Sequence, residues 1–129
     1  MTESKPKIIV LTSATQSIPE IRSAFDGFDL EFGGAIRRKG FGDIAVQIMI
    51  FLSTAFVGGA AWDLFKFSIQ KLLNKFPKAQ IVVSDADSII YTIKDEQNIV
   101  VIVIPDRAKE FEHVKTLDDL IKHLKEKYE

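Results

Sequence analysis

Two carboxylates one residue apart, Asp85 and Asp87, follow the β-branched run Ile81-Val82-Val83. A strand that ends in Asp-x-Asp can hold both acids against a divalent cation, and phosphotransferases with an aspartate nucleophile, like many glycosyltransferases, use such an element. Here little chain follows it, no lysine or acidic loop stands beside it in a matching context, and the next segment has the character of the second arm of a hairpin. We therefore read Asp85-Ala86-Asp87 as a turn. Ser17, Ser84 and Ser88 could act as nucleophiles only beside a general base. The two histidines, His113 and His123, lie on charged stretches without a Gly-x-Ser-x-Gly elbow and read as surface residues. The glycine pairs Gly33-Gly34, Gly40-x-Gly42 and Gly58-Gly59 match neither the dinucleotide nor the P-loop spacing. Gly40-Phe41-Gly42 could offer backbone amides to an anion beside Arg37, Arg38 and Lys39. That basic triplet also suits a solvated loop or a contact with anionic head groups at a membrane surface. No catalytic residue, cofactor site or metal-ligand set is expected, and no cofactor.

Composition narrows the classes further. The 129 residues suffice for one domain, residues 1–129, with a core that needs no staple. A hydrophobic fraction of 47% and a charged fraction of 27% are those of a globular chain. With 17 basic and 18 acidic side chains there is no broad positive field, so nucleic acid is not an expected partner. The absence of cysteine excludes disulfides and thiolate chemistry and fits a reducing cytoplasm. Met1 to Lys7 is short and polar and the apolar run Ile8 to Leu11 is brief, so no export signal is expected.

The elements that must position these residues follow from pattern. Lys7 to Thr12 reads as a buried strand. Ser17-Ile18-Pro19-Glu20 has the spacing of a capping box that opens a helix burying Ile21 and Phe25. Phe28 to Phe32 alternates apolar and charged residues, the period of a strand, and Gly33-Gly34 should stop it. Beyond Pro77, the runs Gln80 to Ser84, Ser88 to Lys94 and Asn98 to Ile104 are joined by short polar connections and predict an antiparallel meander. Val100 to Ile104 is continuously apolar and should lie centrally, buried on both faces. Asp106 to Lys115 reads as a loop with a helical turn. Thr116 then caps a final helix whose Leu117, Leu120, Ile121, Leu124 and Tyr128 form one stripe.

The segment between is the unusual one. From Ile44 to Trp62 no residue is charged, a run of roughly 19 residues that approaches the length of a bilayer span. Beyond Trp62 the pattern becomes amphipathic up to Phe76. If Asp43 caps the start and Pro77 marks the end, one helix of about 33 residues would reach on the order of 50 Å, far beyond the ~14 Å radius of gyration of such a domain. Thr54 with Gly58, and Ala55 with Gly59, set small residues four apart, where a partner backbone could approach closely. This helix could be covered by the domain, could form an oligomer, or could enter a membrane, with Trp62 at one end and Arg37, Arg38 and Lys39 at the other. Gln47 within the run and basic residues on both flanks speak against the membrane.

The layout of a short strand and helix, the basic turn Gly33 to Arg38, a small-residue-rich apolar helix passing into Ala61-Trp62-Asp63-Leu64-Phe65-Lys66, and then paired strands resembles the bacterial effector-associated constant components. The chain departs from them in its Asp-Ala-Asp turn and in a third strand at Asn98 to Ile104. The resemblance implies a small accessory or adaptor protein of a conflict or defence system, working beside a separate effector enzyme, and it carries over no catalytic residue. The expected fold is α+β: a mixed sheet of about four or five strands with a C-terminal antiparallel meander, packed against one long apolar helix and two shorter ones. The expected function is a non-enzymatic interaction module that self-associates or recruits a protein partner through Thr54, Ala55, Gly58, Gly59 and Trp62. The alternatives are a membrane-associated protein that inserts Ile44 to Trp62, and a small metal-dependent enzyme using Asp85 and Asp87. The expected compartment is the cytoplasm, or a membrane surface under the first alternative.

Overall fold

Strands in this protein are short apolar runs whose alternate residues enter one core. The computed structural model describes residues 5–35, 46–52, 59–103 and 105–128. In chain order these form β1 (Lys7–Thr12), α1 (Ile18–Ala24), β2 (Asp29–Ala35), β3 (Gln47–Leu52), α2 (Gly59–Lys75), β4 (Gln80–Ser84), β5 (Ile90–Asp95), β6 (Asn98–Ile102) and α3 (Leu117–Tyr128), with short 3-10 turns before α1 and at Pro105–Phe111. The strands make one mixed sheet of six, in the order β2-β1-β3-β4-β5-β6. The expected α+β class and C-terminal meander are both present, since β4, β5 and β6 pair antiparallel in sequence.

The long apolar helix is not. Residues 47–52 of the uncharged run form β3, parallel to β4 on one side and antiparallel to β1 on the other. The helix that follows is described over Gly59–Lys75. A continuous apolar run shows no period by which strand and helix can be told apart. The β-branched Ile48 and Ile50, both at 0% exposure, settle here as the inner face of a strand. Among the described residues no helix is long and apolar enough to cross a membrane. Val100 to Ile104 was the wrong place for the central strand: β6 is at the sheet's edge, with Val100 46% and Ile102 59% exposed. Gly33-Gly34 does not stop β2, which continues to Ala35 across a register shift opposite Val10 and Leu11.

Chain direction explains the layering. The units β1-α1-β2 and β3-α2-β4 each join parallel strands, and such crossovers are right-handed. Because β3 runs antiparallel to β1 and its crossover moves the opposite way across the sheet, the same handedness places both helices on one face. α1 packs against α2 and α2 against α3, so the helices form a single layer. Their stripes, Trp62, Phe65, Ile69 and Leu72 on α2 and Leu117, Leu120, Ile121 and Leu124 on α3, meet Ile8, Val10, Ile48, Ile50, Ile81, Val83, Tyr91 and Ile93 of the sheet, all of them buried.

The two expected helix caps have different outcomes. The Ser17 hydroxyl makes no cap bond. It contacts Thr12 Oγ1 at 2.9 Å and donates to the Ala14 carbonyl, which ties the end of β1 to α1. At α3 the Asp119 amide donates to Thr116 Oγ1 at 3.2 Å, while the Asp119 carboxylate accepts from the Thr116 and Lys115 amides, a reciprocal cap. Thr116→Ala is expected to lower unfolding free energy by about 1 kcal/mol, read as a shifted urea midpoint at constant slope. An unchanged midpoint would show that this cap carries no stability.

Candidate functional site

β4 ends at Ser84, and the chain turns through Asp85, Ala86, Asp87 and Ser88 before β5. Ser88 takes a φ of 63°, in the left-handed region, and the turn closes with Ser88 N–H donating to the Asp85 carbonyl. Asp85 is the organising group. Its side chain is wholly buried. Oδ1 accepts from the amides of Asp87 at 2.9 Å and Ile89 at 3.0 Å, and Oδ2 accepts from the Tyr91 hydroxyl at 2.9 Å and Lys127 Nζ at 2.8 Å. Lys127 also reaches Asp87 at 2.9 Å. The companion lysine that the linear context of the motif lacks is thus supplied by the last turn of α3.

Burial alone would push the Asp85 carboxyl up, but the bonds from Lys127, the Ile89 amide and Tyr91 outweigh it and hold the group below the usual carboxylate range. The Tyr91 hydroxyl is driven far up by burial and by donating to a carboxylate. Burial opposes the charge on Lys127, yet its two aspartates keep its pKa above the usual lysine value. An ammonium thus lies between the two carboxylates, where the metal-dependent alternative needs a divalent cation, and Asp85 accepts four bonds. The described residues contain no group of three or more His, Cys, Asp or Glu able to hold a metal ion. What this arrangement does is fasten the end of α3 to the β4–β5 turn.

The remaining candidates separate. His113 is exposed, but His123 is half-buried against Phe111 and Tyr91, with the two imidazole rings 5.2 Å apart. Burial first, then the neighbouring His113 and Lys127, lower the His123 pKa below the ordinary histidine value. Neither imidazole lies on Ser17, whose hydroxyl is engaged at Thr12 and Ala14. Thr54, Ala55 and Gly58, like Arg37, Arg38 and Lys39, fall outside the described residues. Gly59 is the first residue of α2. Trp62, expected on an interaction face, is 1% exposed, edge-on to Phe65 and stacked on Tyr128. It is a core residue, because the helix that was to display it is one layer of the domain.

The surface that sequence reasoning missed is the other face of the sheet. Ile9 pairs with Phe51 and Leu11 with Met49; Met49 pairs in turn with Val82, Val82 with Thr92 and Thr92 with Val100, while Ile90 pairs with Ile102. These residues alternate with the buried ones, so they point away from the helices and make two rows across five strands. Among the described residues, none of the three α-helices packs on this side. Ile9, Val100 and Ile102 are exposed and the others half-buried. At one corner the face runs into a shallow groove of about 620 Å³ between Ile90, Ile102, Asp87 and Arg107. The signal was present in the runs Gln47–Leu52 and Asn98–Ile102, which are apolar at both parities, as strands buried on two sides are.

Comparison with family profiles, with curated proteins and with solved structures found no match to the chain.

Proposed function

We propose that the protein is a non-enzymatic interaction module that docks through the apolar face of its sheet that none of the described helices covers. One observation carries this reading: the strands are apolar on both sides, while the helices cover only one. A solvated sheet face ordinarily carries polar residues. Apolar area left open here gains about 25 cal/mol per Å² when a partner covers it, and exposed apolar patches of several hundred Å² mark interaction sites. The Asp85 cluster accords with the same reading, since the Asp85 carboxylate is buried and engaged by two amides, Tyr91 and Lys127. The resemblance to effector-associated constant components accords with an accessory role beside a separate effector, with the open face as the assembly surface.

Hydroxyl-radical footprinting tests this directly. Met49 and Ile102 should be labelled in dilute purified protein and protected in concentrated extract of the native cell, while Phe67, 55% exposed on α2, stays reactive in both. Met49 fully reactive under both conditions would remove the docking reading.

A further inference from the structure

Resting on that reading of the open face, we infer that its occupant is a second copy of this chain, stacked face to face to make a sandwich of two six-stranded sheets. Three features favour self-association. The first is charge: the two rows from Ile9 to Ile102 contain no charged side chain, and the Lys7–Glu31 ion pair lies outside them, between the start of β1 and β2. A charged partner finds nothing to pair with in the middle of this face, whereas an identical uncharged face needs nothing. The second is area. Six strands about 4.8 Å apart and some 17 Å long present roughly 500 Å², so two copies together cover on the order of 1,000 Å², where specific interfaces begin.

The third is shape. The midline of the sheet falls between β3 and β4. A two-fold axis along that midline sets each residue of β3 over its own register partner on β4 of the other copy. Phe51 then lies over Ser84 of the partner subunit and Met49 over Val82 of the partner subunit. Large side chains over smaller ones interdigitate across the ~10 Å separation of packed sheets. The same axis sets Ile102 at the β6 edge over Glu31 of the partner subunit, because these residues occupy the two ends of one row.

Light scattering after size exclusion and sedimentation of the full chain over a range of concentrations test the proposal. The expected mass is twice the 14.5 kDa of one chain. Val82→Lys, which places a charge at the centre of the interface, should raise the dimer Kd by at least about 100-fold while circular dichroism still shows a folded chain. Ile102 is exposed, so its variants fold regardless: Ile102→Glu, facing Glu31 of the partner subunit, should weaken the dimer, and Ile102→Lys should not. A dimer that persists in folded Val82→Lys and ignores the sign of charge at position 102 would overturn the proposal. A monomer at every concentration with Met49 protected in extract removes the second copy and leaves the docking reading; a monomer with Met49 reactive everywhere removes both.

Discussion

Asp85→Ala should lower the unfolding free energy by about 3 kcal/mol, whereas Asp87→Ala should lower it by less than about 1 kcal/mol. The two aspartates look equivalent in the motif, but their surroundings differ. Asp85 is fully buried and accepts four bonds, so its removal strands the Tyr91 hydroxyl, two amides and most of the partnership of Lys127. Asp87 is 57% exposed, and its bond to Lys127 is an ion pair at the surface. The pH dependence has a definite sign. In the folded chain the Asp85 carboxyl titrates below the usual carboxylate range, held there by Lys127, Ile89 and Tyr91 against the effect of burial; in the unfolded chain it takes up its proton near about pH 4. Its contribution is therefore complete above that value and is lost as pH falls through the lower folded one. Urea midpoints measured on acidification should fall more steeply for the wild type than for Asp85→Ala. Equal losses from the two alanine variants, or parallel acid limbs, would mean that Asp85 does not fasten α3 to the sheet.

Trp62→Ala should remove about 3 to 5 kcal/mol of stability, the range for deleting a buried aromatic side chain. Trp62 fills the core between α2 and α3, with its ring 6.3 Å from Phe65 and 6.0 Å from Tyr128, so the vacated volume lies between two packed helices that cannot easily close on it. Phe67, five residues on in the same helix, is 55% exposed with Lys71 over its ring. Phe67→Ala should change stability by less than about 1 kcal/mol. Thermal melts of the two variants separate a core tryptophan from an interface one. If Trp62→Ala melts like the wild type, the helix faces are assigned the wrong way round.

Locally periodic segments were legible from the residues alone. α3 is one, because Leu117, Leu120, Ile121 and Leu124 recur at helical spacing against charged neighbours and Thr116 caps them. The meander is another, since its short polar turns leave the chain no room for anything but antiparallel pairing. The run around β3 was not legible. It is apolar at every position but Gln47, and a residue set with no period is equally compatible with a helix and with a strand buried on both sides. Placing it in a helix then set Trp62 on an exposed face, whereas it is 1% exposed in the core.

The polar cluster shows the same division. The spacing of Asp85 and Asp87 announced a turn with two carboxylates, and the turn is there, because an aspartate closes such a bend through local bonds to amides two and four residues ahead. Which carboxylate is buried, and that an ammonium lies between the two, depends on Lys127, brought in by the packing of α3.

What the amino-acid order by itself determined is therefore local: the α+β class, the meander, the capped C-terminal helix and an excess of apolar residues. Tertiary structure alone decided where that excess lies. Two right-handed crossovers leaving antiparallel strands in opposite directions must put their helices on the same side of the sheet. A chain whose strands are apolar on both faces then has one of those faces that none of the described helices covers.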